Sequence, residues 1–314
     1  MDTIDKEKKI YILMILTTFF WAGAFIAGKV AIKEFTPFSL TFLRFLIATL
    51  VLFPVAFKAE GAKLRLKKED LPILIILGLL GMFGFHVLFF FSLKYTTAIN
   101  SSMIGASTPV ITTVLAFLII GDKLSSKRTF AILLAFFGVM LTISNGSLET
   151  IRRISFNLGD LIMISAVIIK ALYIVLSKRV SHRYSPITMT FYCFLVCVIL
   201  SIPFTIMEQP WSYINSVTWK GWLSLVYMAT LPSCVGYLIQ QVSIKAVGPS
   251  KTTVFENLVP VFSIILSVVI LGEKVIILKI VSAMVIILGV YINSTVGSDK
   301  QKQDEKAVIN KKIV

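Results

Sequence analysis

Two ionisable side chains lie in the middle of long apolar runs. Lys170 falls within 159–178 and Glu256 within 248–271. A charge at the centre of a membrane span costs roughly 2.5–3.5 kcal/mol on insertion scales, so each needs a reason to be there. Lys170 is eight residues from Lys178, and Glu256 is eight residues from Gly248. At about 1.5 Å of rise per residue both lie roughly 12 Å in from the same side, so they match in depth and could pair. Such a pair could hold the carboxylate and ammonium of a zwitterion, or let Glu256 cycle a proton. It could equally be a tie between two helices, and the sequence leaves both readings open. Because an ion pair taken out of water returns little stability, a functional role stays in view.

Other residue types extend the candidate site. Pro109 and Pro260 fall deep within apolar runs. Each removes a backbone N–H and frees the carbonyl one turn earlier, at Gly105 and Glu256, so both are expected to kink their helices. Freed carbonyls within a membrane must face protein or water, which places these helices beside a pathway. Trp21 could stack on a substrate ring or cation, or simply pack. His86 and Tyr237 are expected as polar wall residues, with a buried, hydrogen-bonded histidine as the alternative. Asn257, Gln241 and Ser102 are candidate cavity groups, although in-span amides and hydroxyls also serve as interhelical hydrogen bonds. Lys29 and Arg44 lie near helix ends and are expected to snorkel to headgroups. Cys193, Cys197 and Cys234 sit in apolar runs without CxxC spacing and read as small core residues. No metal site and no cofactor are expected. The two histidines, His86 and His182, do not form HExxH, and no aspartate cluster lies within a span, which argues against an intramembrane enzyme.

The elements that must position these residues follow from composition. Of the 314 residues, 57% are hydrophobic and 15% charged, whereas soluble domains carry about 25% charged residues. A bilayer is the solvent that tolerates such outward faces. A spanning helix needs about 20 mostly apolar residues. That rule predicts ten segments: 10–31, 38–57, 71–94, 96–120, 127–145, 159–178, 187–207, 219–245, 248–271 and 277–294. Short links such as 121–126 make neighbours antiparallel, and no alternating ten-residue pattern suggests a barrel. The first apolar run is longer than a signal-peptide core, so it reads as a helix that is kept. With the N-terminus inside, 21 of the 31 Lys and Arg fall on cytoplasmic segments, seven outside and three within spans. The net charge of +15 is therefore a topological signature and not a nucleic-acid footprint. Residues 297–314 are polar and mixed in charge, and are expected to form a disordered cytoplasmic tail.

The chain also repeats itself. A shift of 151 residues places Ser92 and Lys94 on Ser243 and Lys245, Pro109-Val110 on Pro260-Val261, Gly121-Asp122-Lys123 on Gly272-Glu273-Lys274, and His86 on Tyr237. A shift of 149 places Trp21, Lys29, Pro37 and Phe42 on Lys170, Lys178, Pro186 and Phe191. The expected fold class is thus an all-α integral membrane protein of ten transmembrane helices as two inverted five-helix repeats, 1–146 and 147–296. An odd number of helices per repeat turns the second copy upside down, a transporter architecture.

The ordered motifs resemble the EamA-type branch of the drug/metabolite transporter superfamily. They run FFWAGAFIAGKVAIK (19–33), TPFSLTFLRFLIATLVLF (36–53), the long block 78–141 and its echo SIKAVGPSKTTVFENLVPVFSIILSVVILGEKV (243–275). The resemblance covers nearly the whole chain. It implies a ten-helix bundle with a central cavity lined mainly by the first, third, fourth, sixth, eighth and ninth helices. It also implies export or exchange of a small metabolite, such as an amino acid, across the cell membrane. Lys170 departs from the pattern, since that helix is usually uncharged in the family. The expected partners are a small-molecule substrate, coupling protons at Glu256 and membrane lipid, with both termini cytoplasmic. A channel or facilitator for small solutes is the alternative, although the in-span polar groups are scattered and do not form a continuous stripe.

Overall fold

The computed structural model describes residues 3–64, 68–96, 101, 104–122, 125–144, 158–271 and 277–295. Ser102, the Gly272-Glu273-Lys274 motif and the tail 297–314 lie outside the described residues. All regular structure among the described residues is helical. The first half contributes α1 (Thr3–Ala31), α2 (Pro37–Glu60), α3 (Leu71–Leu77), α4 (Phe85–Tyr95), α5 (Thr108–Ile120) and α6 (Ser126–Ser144). The second contributes α7 (Leu158–Val180), α8 (Pro186–Glu208), α9 (Trp219–Met228), α10 (Leu238–Val247), α11 (Pro249–Val254), α12 (Leu258–Leu271) and α13 (Ile277–Thr295). Six continuous helical stretches are long and apolar enough to cross a membrane: Glu7–Ala31, Pro37–Glu60, Lys68–Tyr95, Leu158–Val180, Pro186–Glu208 and Trp219–Val247. The other four predicted segments are occupied by the shorter or interrupted helices α5, α6, α11–α12 and α13.

The start signals are local. Pro37 and Pro186 open α2 and α8, where a missing N–H costs nothing. Ser185 caps α8 by accepting from the Thr188 amide at 3.2 Å. No side chain of Thr36 caps α2. Instead Glu208, at the end of α8, accepts from the amides of Phe38 and Ser39 at 3.2 and 2.7 Å, and from the Thr36 hydroxyl. One helix's C-terminal carboxylate thus neutralises the positive end of another.

Two stretches depart from the α-helix that the apolar pattern predicts. Gly78–Gly84, between α3 and α4, and Ala229–Tyr237, between α9 and α10, are wound as π-helix. The 151-residue shift places Gly78 on Ala229, so both halves widen at the same point. Glycine lets neighbours press in on the first. A Cβ on Gly81 would lie 2.4 Å from the Tyr173 ring, and one on Gly78 would lie 2.6 Å from Val196 Cβ. In the second, Pro232 removes an N–H and the Ser233 hydroxyl donates to the Met228 carbonyl five residues back, at 2.9 Å. Such bulges concentrate at functional sites.

Packing is reciprocal between the halves. Helix α2 packs on α8 and α6 packs on α13, so helices at corresponding positions touch. Phe45 and Phe194, superposed by the 149 shift, meet with ring centroids 5.1 Å apart. A Cβ on Gly138 would lie 2.8 Å from Ile286, and one on Gly289 would lie 2.7 Å from Ala135, which is Ile286's counterpart. The first helix of each half packs against helices of the other, α1 on α9 and α12, and α7 on α4 and α5. Large apolar side chains such as Ile12, Leu50, Phe57, Leu118, Ile206 and Met207 remain exposed on the outside. A water-facing surface does not carry so many, and lipid accounts for them.

Candidate functional site

Lys170 and Glu256 do meet. The ammonium lies 2.7 Å from Glu256 Oε2, with both residues more than nine-tenths buried. Lys170 reaches in from mid-α7. Glu256 is presented by a single turn of 3₁₀-helix, Phe255–Asn257, that interrupts the run between α11 and α12. Pro260 stands one turn beyond that break, and the other half is built alike. There the helix is interrupted by a turn at Ala106–Ser107, just before Pro109. The Gly105 carbonyl, deprived of its amide partner by Pro109, accepts from the Thr108 hydroxyl at 2.6 Å. The prolines therefore accompany breaks in the helices, and the break puts a carboxylate at Glu256 where its counterpart Gly105 has no side chain.

Around the pair the site is built from both halves. Gln240 donates to Glu256 Oε1 at 3.3 Å. The Lys170 ammonium stands 5.0 Å from the centre of the Trp21 ring and 5.1 Å from that of Phe85, so its aromatic surroundings supplement the carboxylate. Trp21 is fixed by an indole N–H bond to the Pro232 carbonyl, at 3.2 Å, inside the second π stretch. It fits against Gly236, where any Cβ would lie 2.8 Å from its Nε1. His86 Nδ1 faces the Met82 carbonyl at 2.8 Å, which makes it a donor, and Nε2 meets the Tyr237 hydroxyl at 3.1 Å. The neutral imidazole with its proton on Nδ1 satisfies both contacts. His86 and Tyr237 are partners under the 151 shift, and Trp21 and Lys170 are partners under the 149 shift. Corresponding residues that touch each other lie where the two halves meet.

These groups line a cavity of about 620 Å³, counting its open mouth. Its wall includes Trp21, Phe25, Arg44, Phe85, His86, Phe89, Gly105, Met163, Lys170, Tyr237, Glu256 and Val259. Moving away from the Lys170–Glu256 pair, the wall climbs from Trp21 to Phe25, from Phe85 to Phe89, from Lys170 back to Met163 and from Glu256 to Val259. All four directions lead away from the N-terminal end of α1. That N-terminal end is drawn together: Ser250 donates to Asp122 at 2.9 Å, Arg128 lies 3.4 Å from Asp122, and Lys251 lies 4.0 Å from Glu7.

Two cations do not behave as expected. Arg44 does not snorkel to headgroups. It is 3% exposed, lines the cavity and donates from Nε to the Ser233 hydroxyl at 2.9 Å. Seven residues into α2, it sits about 10 Å below the helix start, and its side chain turns inward because the second π stretch brings Ser233 to meet it. Lys29 likewise finds protein partners, donating to the carbonyls of Leu93 and Thr96 at 2.6 and 2.8 Å. Its counterpart Lys178 repeats the motif on the carbonyl of Lys245 at 2.8 Å. Both lysines cap a helix C-terminus.

Neither amide expected in the cavity is among the residues that line it. Gln241 donates to Tyr173 and Ser177, deeper than the charged pair. Asn257 is fully buried beside Glu256, and neither of its side-chain polar atoms has a hydrogen-bond partner among the described residues. The hydroxyl pairs Ser92–Ser101 and Ser243–Thr252, at 2.9 and 2.8 Å, are another repeated motif. The three cysteines are buried free thiols.

The sequence matches the EamA-like transporter family twice, over residues 8–144 and 157–295. It is 33% identical over 285 residues to an uncharacterized transporter of Bacillus subtilis, YyaM, with 91% of this chain and 93% of that one aligned. An uncharacterized transporter of Archaeoglobus fulgidus is 31% identical, covering 92% of this chain and 98% of its own. A WAT1-related protein of Arabidopsis thaliana is 25% identical over 98% of this chain and 84% of that protein. A crystal structure with 20% identity superposes with a TM-score of 0.74 over 93% of this chain and 97% of its own, a likeness of fold.

Proposed function

From the premise that this multi-pass membrane protein belongs to the EamA-like transporter family, we propose that it is a secondary transporter. It would carry a small metabolite across the cell membrane by alternating access. The moving parts are two inverted five-helix repeats, 1–146 and 147–296, with both termini cytoplasmic. Glu256 is the group that exchanges a proton with Lys170 or with solvent during the cycle.

The observation that carries this reading is the position of the charged pair. Lys170 and Glu256 close the deep end of a cavity built from both halves, at the place where corresponding residues touch. A site on the axis that relates two inverted repeats is reached equally by both, and exchanging their conformations would open it to the opposite side. With the N-terminus inside, the cavity opens outward and the Glu7–Lys251 and Asp122–Ser250 contacts close the cytoplasmic side. Counterflow in proteoliposomes tests the proposal. Uptake that saturates and is accelerated by solute on the far side supports a carrier. Unsaturated single-channel currents would exclude it and leave the channel.

A further inference from the structure

Resting on the reading of this cavity as a substrate site, we propose that the substrate is a small organic monocarboxylate with an apolar or aromatic body, and that Arg44 binds its carboxylate. Arg44 is a guanidinium nine-tenths buried in a membrane-embedded cavity, yet no carboxylate stands within salt-bridge distance of it among the described residues. Of its five N–H donors, only Nε–H finds a hydrogen-bond partner among the described residues, the Ser233 hydroxyl at 2.9 Å. That bond fixes the fork, and the two terminal nitrogens are left for something in the cavity. A planar guanidinium with a free pair of parallel donors fits a carboxylate edge on.

The charge count sets the class further. Among the described residues, Arg44, Lys170 and Glu256 are the charged ones on the cavity wall, and Lys170 and Glu256 neutralise each other at 2.7 Å. His86 is engaged on both nitrogens. One positive charge remains, which matches a monoanion and leaves a phosphate monoester's second charge uncompensated. A zwitterion fits poorly as well. Glu256 already faces the Lys170 ammonium on Oε2 and Gln240 on Oε1, so a substrate ammonium brought to it would be repelled by Lys170. The remainder of the wall is Trp21, Phe25, Phe85, Phe89, Met163 and Val259, suited to a hydrocarbon or ring.

The test uses the purified full chain in detergent and measures affinity by thermal stabilisation for three probes of one shape: 3-phenylpropionate, its amide 3-phenylpropanamide, and L-phenylalanine. The carboxylate is expected to bind at least about tenfold more tightly than the amide or the zwitterion, the usual range for a charge-assisted bond. Arg44→Gln should weaken 3-phenylpropionate about 10- to 100-fold without changing the amide. Arg44→Lys keeps the charge but not the fork and should fall between them, which also covers the case in which Arg44→Gln does not fold. Equal binding of carboxylate and amide, preference for phenylalanine, or no stabilisation by any probe at millimolar concentration would overturn the proposal. Counterflow separates it from the carrier reading. Saturable exchange of another solute, indifferent to 3-phenylpropionate, leaves the carrier and sinks the carboxylate. Arg44-dependent binding without exchange does the reverse.

Discussion

Lys170 and Glu256 could be a structural tie, a substrate contact or a proton site, and single substitutions separate these poorly. Removing one partner of a buried pair leaves an uncompensated charge and costs about 3–5 kcal/mol, which lowers transport whatever the role. The double variant is more informative. Lys170→Met with Glu256→Gln removes both charges at nearly constant volume, so thermal stability in detergent should return close to that of the unmodified protein. Transport should not return, and any dependence on a pH gradient should vanish with it. A stable double variant that transports normally would make the pair a tie and nothing more. Equal depth of the two residues was legible in the sequence from counting alone. The inward turn of Arg44 was not, because its acceptor, Ser233, lies 189 residues away.

At the scale of elements, the interrupted helices matter most. A π turn inserts a residue without lengthening the chain's path by a turn, so it rotates everything beyond it by about 100° relative to a continuous α-helix. His86 begins just past Gly78–Gly84, and Tyr237 ends the second stretch, so their facing depends on that extra rotation. The glycines that make the first stretch possible can be tested. Gly81→Ala would drive a methyl into the fully buried Tyr173 ring, 2.4 Å from the new Cβ. The expected cost is about 1–3 kcal/mol, seen as a lower melting temperature in detergent. Gly105→Ala meets nothing nearer than Met163 Cε at 3.6 Å and should melt like the parent. If both melt alike, the close approach at Gly81 is not what the π stretch provides. The prolines announced a disturbance in the sequence, and the structure makes it a full break in each half.

For the whole molecule, the two ends of the bundle differ. Glu7, Asp122, Arg128, Ser250 and Lys251 gather at the N-terminal end, whereas the cavity runs toward the other. If transport needs that end to open, linking it shut must stop the cycle. Glu7→Cys with Lys251→Cys, joined by a short bifunctional maleimide, is expected to abolish counterflow while leaving the cavity loaded from the other side. A cleavable linker should restore exchange on cutting. The native thiols Cys193, Cys197 and Cys234 are buried and should not compete. Counterflow that survives the linked pair would show that this end need not open.

Some properties of this protein are sums or counts along the chain, and these the sequence determined by itself. Its apolar spans are runs of composition, its charge bias is a tally over loops, and the repeat is a fixed offset. That offset already paired Trp21 with Lys170 and His86 with Tyr237. Which of those pairs would touch was decided only by the tertiary structure, because contact depends on helix rotation, on the two π stretches and on how closely glycines let α6 and α13 approach. The same reason explains Arg44 and the amides. A residue's depth follows from counting along its own helix, whereas the direction in which it points depends on which other helix arrives beside it.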